Sequence, residues 1–164
     1  MMVTLSAKIE SGHLTIHSKW MVAQSMYAKG KSFLGAAILL RQQGGYEYVV
    51  LHLICQGIEI ILKALLLFRN YDKYRNQLRK PLGHNLKKLT DASQSEFGVK
   101  PISNALAREL ETLNSLYSNH WLRYGSFYDV LVAPHTIPST FTLRKITAVI
   151  KLAERHVAAA SSNI

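Results

Sequence analysis

Apolar residues recur at helical spacing in five segments of this chain. Between Ser18 and Gln43, Trp20, Ala23, Tyr27, Leu34, Ala37 and Ile38 form an apolar stripe. Gly30 and Gly35 weaken that helix but let another helix approach closely, and Gly44-Gly45 ends it. The segment from Tyr46 to Arg69 is apolar nearly all round, which predicts a central, buried helix. A loop containing Pro81 and Gly83 follows, then helices over about Asn85–Glu96 and Ile102–Tyr124, punctuated by Gly98 and Pro101. Leu106, Leu110, Leu113, Tyr117 and Trp121 line one face of the latter. A loop with two prolines, residues 125–139, leads to a last helix that starts near Ser139 or Thr140, either a good N-cap. Leu143, Ile146, Ile150, Ala153 and Val157 are its core stripe. No run alternates with the period of a strand. The expected fold is all-α, an antiparallel up-and-down bundle of four to five helices. It forms one domain over residues 18–160, between an N-terminal segment (1–17) and a short tail (161–164).

The second helix invites a transmembrane reading, since Val49 to Phe68 spans 20 residues. Glu59 and Lys63 oppose it, because a charge near a bilayer centre costs about 3 kcal/mol on insertion scales. A buried helix of a bundle, with no membrane, is the better reading. Its polar residues are not scattered. At about 100° per residue, His52, Gln56, Glu59 and Lys63 fall within about 60° of arc, one line on an otherwise apolar cylinder. Such a line is either a solvent-facing stripe or the wall of a cleft or subunit contact. So narrow a strip favours the second reading, which requires a partner for each charge.

Composition fits one globular domain: 164 residues, 48% hydrophobic and 18% charged. The single cysteine, Cys55, lies inside the apolar run and cannot form an internal disulfide. With no signal-like apolar run in the first twenty residues, a cytoplasmic location is expected. The net charge of +10 calls for an acidic partner: nucleic acid, a nucleotide or an acidic protein. Residues 69–88 carry Arg69, Lys73, Arg75, Arg79, Lys80, Lys87 and Lys88 against one acid, Asp72. Tyr71 and Tyr74 interleave, so cations for phosphates stand beside rings for unpaired bases. Arg144, Lys151 and Arg155 form a second basic line on the last helix. Metal and cofactor sites are not expected. His13 and His17 share a helical spacing without a carboxylate or cysteine cluster, His120 and His156 read as polar rim, and Gly44-Gly45 is too short for a phosphate loop.

Four stretches together resemble one family. IEIILKALLLF, with Glu59 four residues before Lys63, resembles the signature helix of the HEPN superfamily of small helical domains. GHNLKKL, residues 83–89, resembles its Gly-His-Asp-Leu stretch. LNSLYSNHWLRYG, residues 113–125, resembles its Leu-x-x-Leu-Tyr followed by Arg-Tyr, and the C-terminal TLRKITAVIKLAERHV resembles its closing helix. The match runs over roughly Trp20 to Val157.

The resemblance implies a four- or five-helix bundle, commonly a homodimer. Members include ribonuclease toxins, companions of minimal nucleotidyltransferases, and RNA- or nucleotide-binding modules. The ribonucleases look like Arg, four to six residues, then His, near the start of the last long helix. Here Arg123 is followed at that distance by Tyr128, Asp129 and Val130, none of them His. Arg79 and His84 have the separation but sit in the Pro-Gly loop, and they are the candidates for any catalysis. The resulting expectation is a non-catalytic, RNA- or nucleotide-associated module, as half of a toxin–antitoxin or stress-response pair. A metal-independent ribonuclease and an interaction subunit of a nucleotidyltransferase are the alternatives. The expected site combines Glu59, Lys63, His84, Asn85, Arg123 and Tyr124 with the loop cations Arg75, Arg79 and Lys80, and Arg123 is expected to pair with Glu59.

Overall fold

The structure is a computed structural model that describes residues 14–100, 103–124, 133 and 140–161. His13, the loop over 125–139 with Tyr128, Asp129 and Val130, and the tail from 162 fall outside those residues, Ala133 excepted. The described part is all-helical: α1 (Ile16–Gln42), α2 (Glu47–Arg69), α3 (Tyr71–Tyr74), α4 (Leu86–Glu96), α5 (Asn104–Ser118), α6 (Trp121–Tyr124) and α7 (Thr140–Ser161). Five of these are substantial, which is the bundle the apolar periodicity predicts.

Thr15 starts α1 as its N-cap, accepting a hydrogen bond from the Ser18 amide, so the helix begins two residues before the expected Ser18. It ends at Gln42, and Gly44 takes φ 70° in the turn that folds α2 back along it. The two helices touch backbone to backbone at a pair of glycines. A Cβ on Gly30 would lie 2.7 Å from Ile61 Cγ1, and one on Gly57 would lie 2.8 Å from Leu34 Cδ2 and 3.0 Å from the Gly30 carbonyl oxygen. Gly35 plays no such part: it faces open space. Trp20 and Ile38 also depart from the expected stripe, being 44% and 58% exposed. The face that meets α2 is Ala23, Tyr27, Gly30, Leu34 and Ala37.

α2 packs against α1, α4, α6 and α7 and is the axis of the bundle. Ile61, Leu62, Leu65 and Leu66 are buried in one core with Leu86 and Leu89 of α4, Leu110 and Leu113 of α5, and Ile146 of α7. Each such side chain contributes about 1.5–3 kcal/mol by leaving water. By length and composition α2 could cross a membrane, and 67% of its most apolar window is buried inside the bundle.

Two elements differ from the sequence expectation. The loop after α2 contains the single-turn helix α3, because Asn70 ends α2 and its side chain caps the Lys73 amide. The helix expected over residues 102–124 is broken: α5 stops at Ser118 and His120 adopts φ 62°. That left-handed residue costs about 1 kcal/mol and turns α6 onto a new axis. The break also leaves Trp121 46% exposed, off the apolar face assigned to it by periodicity.

The glycine contacts give a paired test. Gly57→Val should cost about 1–3 kcal/mol by overpacking the α1–α2 crossing. Gly35→Ala, in open space, should stabilise by up to about 1 kcal/mol. Urea unfolding of the two variants measures both, and equal signs would contradict the crossing described above.

Candidate functional site

The polar line of α2 is covered. Glu59 is 4% exposed and Lys63 9% exposed, while His52 and Gln56 are half-buried. Glu59 takes donors from three parts of the chain. Lys63 Nζ, one turn along α2, lies 2.7 Å from Oε1. Tyr117 of α5 donates its hydroxyl to Oε2 at 2.6 Å. His84, in the turn before α4, places Nδ1 3.0 Å from Oε1 and 3.1 Å from Oε2. With Nδ1–H donating to the carboxylate, Nε2 is the ring nitrogen of His84 left free of Glu59. Its side chain is 68% exposed, so the ring links the buried acid to the surface.

Local structure fixes His84. Asn85 is the N-cap of α4, accepting from the Lys88 amide at 2.9 Å. Asn114 of α5, 9% exposed, reaches across and accepts from the Leu86 amide at 2.7 Å. Two asparagines from different segments thus satisfy the first amides of α4 and fix the turn that carries His84.

Beside this network lies a hollow of about 80 Å³ lined by His52, Gln56, His84, Tyr117, His120 and Arg123. It has room for a phosphate-sized group or a few waters. The His52 and Tyr117 rings meet at a tilt of 43°, with their centroids 5.6 Å apart. Nδ1 of His52 is buried without a hydrogen-bond partner among the described residues. Burial, with Arg123 and His120 nearby, holds His52 below the ordinary imidazole value, and Glu59 only partly opposes this. Burial and the Glu59 carboxylate push the Tyr117 phenol far up, so it remains a donor. Burial likewise raises the Cys55 thiol, which is fully buried and belongs to the core, as its place in the apolar run predicts.

The expected pairing of Arg123 with Glu59 does not form. Both oxygens of Glu59 are filled by Lys63, His84 and Tyr117, and Arg123 instead lies on the hollow's rim with its guanidinium carbon 5.4 Å from the Tyr124 ring centre. Tyr124 is 71% exposed and does not line the hollow. Asn85 is engaged as a cap, and Arg79 is exposed in the loop, outside the hollow that His84 lines. The structure therefore unites His84, Arg123 and the α2 row, but does not join Arg79 to His84 at one cavity. Sequence reasoning placed Tyr117 on the apolar face and His120 on a polar rim. Tyr117 is a polar member of the site, although the Leu-x-x-Leu-Tyr stretch contains it.

The basic loop is partly neutralised. Glu96 accepts Lys73 Nζ at 2.5 Å and lies 3.7 Å from Arg69 Nε, while Lys87 pairs with Asp91 at 2.9 Å. Arg75, Arg79 and Lys80 are exposed and form no ion pair among the described residues. Arg144, Lys151 and Arg155 are also exposed, on α7. Among the described residues, no cluster of three or more His, Cys, Asp or Glu side chains is arranged to hold a metal.

The chain is thus an all-α bundle with a buried Glu–Lys pair on its axial helix, met by His from one neighbour and Tyr from another. The chain belongs to the HEPN domain family, whose profile matches residues 23–162. No curated protein and no solved structure matches it.

Two expected outcomes test this geometry. Glu59→Gln leaves Lys63 buried without its counter-charge and should cost about 3 kcal/mol. Adding Lys63→Met should restore more than half of that loss, whereas additive losses in chemical denaturation would exclude the pair as the cause. For His52, the folded value lies below the unfolded value of about 6.5. Its contribution to stability is therefore complete above about pH 6.5 and is lost as the pH falls through the lowered folded value. His52→Gln should flatten the fall in stability between about pH 7 and 5, measured by urea midpoints.

Proposed function

We propose that this HEPN domain is a non-catalytic module that binds RNA or a nucleotide, with the hollow taking a phosphate group and the loop cations steering the backbone. The observation that carries this reading is Arg123 on the rim beside His84 and His120, its charge not spent on Glu59. A guanidinium and imidazole donors around a phosphate-sized space are the groups that recognise phosphate. Arg75, Arg79 and Lys80 extend the positive surface, and His84 follows them in the chain, so one strand of nucleic acid can meet both. Asn85 supports the reading indirectly by holding the turn that carries His84, and Tyr124 offers an exposed ring for stacking. A cytoplasmic setting and a role in a toxin–antitoxin or stress-response pair accompany this proposal. So does a homodimer, for which the exposed apolar side chains Met21, Val22, Ile38 and Leu39 of α1 offer surface. The same side chains would serve a nucleotidyltransferase partner.

One observation favours a second reading, a metal-independent ribonuclease. His84 and Arg123 line the same hollow, with Nδ1 of His84 oriented by Glu59, an arrangement suited to moving a proton at Nε2 beside a stabilised phosphate.

Fluorescence anisotropy with a short single-stranded RNA tests the first reading. Binding should weaken as salt rises from about 50 to 200 mM, and neutralising Arg75, Arg79 and Lys80 together should reduce the log–log salt slope by about 2. Arg123→Gln should weaken binding without lowering the melting temperature. No binding at the lowest salt would refute the proposal in favour of a protein-interaction subunit. Cleavage of the RNA, abolished by His84→Ala and by Arg123→Ala, would establish the second reading instead.

A further inference from the structure

A separate cavity opens on another side of α2, between the N-terminal half of α1 and the C-terminal half of α7. Its volume is about 320 Å³, at the lower end of small-ligand pockets. Trp20, Phe68 and Tyr71 supply aromatic surface, Lys19 and Arg69 supply cations, and His156 adds an imidazole. None of these residues lines the His84–Arg123 hollow. Trp20 and Phe68 meet edge to face at a centroid distance of 6.1 Å, while Trp20 remains 44% exposed, so part of its ring is open to a ligand.

The charges around the cavity are unequal in availability. Lys19 is committed to Asp72 at 2.6 Å and ties α1 to α3 across one side of the cavity. Arg69 has only a loose contact, 3.7 Å from Glu96 Oε1, and the other Glu96 oxygen is held at 2.5 Å by both Lys73 and Tyr74. Arg69 is also 53% exposed, with guanidinium donors to spare. His156 is exposed on α7, its ring 6.1 Å from Phe97. With Lys19 and Asp72 cancelling, Arg69 leaves an excess of positive charge over an aromatic floor.

We propose that this cavity is a second ligand site, one that takes a small planar aromatic acid: the ring lies against Trp20, Phe68 and Tyr71, and the acidic group meets Arg69. Aromatic surface alone would accept any flat apolar molecule, whereas Arg69 selects the anion and can hold a carboxylate through two parallel N–H donors. Neither the hollow beside Glu59 nor RNA binding is required for this site to work.

Three probes separate ring from charge: 2-naphthoate, its neutral analogue 2-naphthalenemethanol, and cyclohexanecarboxylate. Saturation-transfer NMR and calorimetry on the full chain should show 2-naphthoate binding, with each of the other two at least ten-fold weaker. Arg69→Gln, an exposed substitution that leaves the core untouched, should weaken 2-naphthoate binding at least ten-fold and leave the neutral probe unchanged. Trp20→Ala should weaken both aromatic probes, and Arg123→Gln should change neither. The proposal is overturned if 2-naphthoate fails to bind at millimolar concentration, or binds Arg69→Gln as well as the parent protein. Loss of binding in Arg123→Gln, which would place the probe in the other hollow, overturns it equally.

Discussion

A carboxylate in the middle of a leucine-rich core is unstable unless something answers its charge, and Glu59 occupies that position. Removing one ion from water costs several kcal/mol, more than a typical apolar contact returns. The cost is offset because its three donors converge: Lys63 from the same helix, His84 from the turn before α4, and Tyr117 from α5. These contacts are directional, as apolar packing is not. Leucines on α4 and α5 would tolerate sliding along α2, but a tyrosine hydroxyl held at 2.6 Å from one oxygen would not. The acid therefore sets the register of the helices around the axis, and its stability depends on theirs.

That register is what builds the hollow. Asn114 extends from α5 to the first amide of α4, so the element that presents Tyr117 also positions the turn that presents His84. Two residues past Ser118 the helix is interrupted at the left-handed His120, and the single turn of α6 brings Arg123 to the same opening. Four segments thus supply one small cavity. Each is held by a polar contact or a backbone turn that has no role in the apolar core. The left-handed His120 and the Nδ1 of His52, unpartnered among the described residues, both cost energy at this opening, as is common where geometry serves a site.

The helices and the axial position of α2 were legible in the sequence because apolar periodicity reports burial directly. The polar line on α2 was legible for the same reason: four exceptions on one arc stand out against an apolar background. Partner choice was not. Arg123 and His84 are both compatible with Glu59 by type, and only the break at His120 decides that Arg123 stops at the rim. No glycine or proline marks that break in YSNHWL, and Asn119-His120, residue types that tolerate positive φ, is a weak signal. Tyr117 was missed because a tyrosine at a core spacing satisfies an apolar pattern with its ring while its hydroxyl does the polar work. Trp20 failed in the opposite direction. It keeps the spacing of the α1 stripe but sits where α1 and α7 diverge over Phe68, so the periodicity identified a face that has no helix to cover it.

The missed pairing bears on function. Had Arg123 closed on Glu59, the opening would hold a neutral pair and no cation facing outward, and an anionic ligand would find only histidines there. Lys63 takes the acid from inside the core, where no ligand can compete for it, and His84 and Tyr117 complete its shell. The charge that must be neutralised for the fold to form is thereby separated from the charge at the surface. Glu59 acts on the opening through His84, whose Nδ1 it holds, and through Tyr117, whose hydroxyl it accepts, and its negative field there is reduced by Lys63. A buried ion pair of this kind is poor evidence of stability in itself, since apolar residues of similar volume can do as well. Its value here is positional: it lets an acid fix the helices while leaving the arginine beside it unspent.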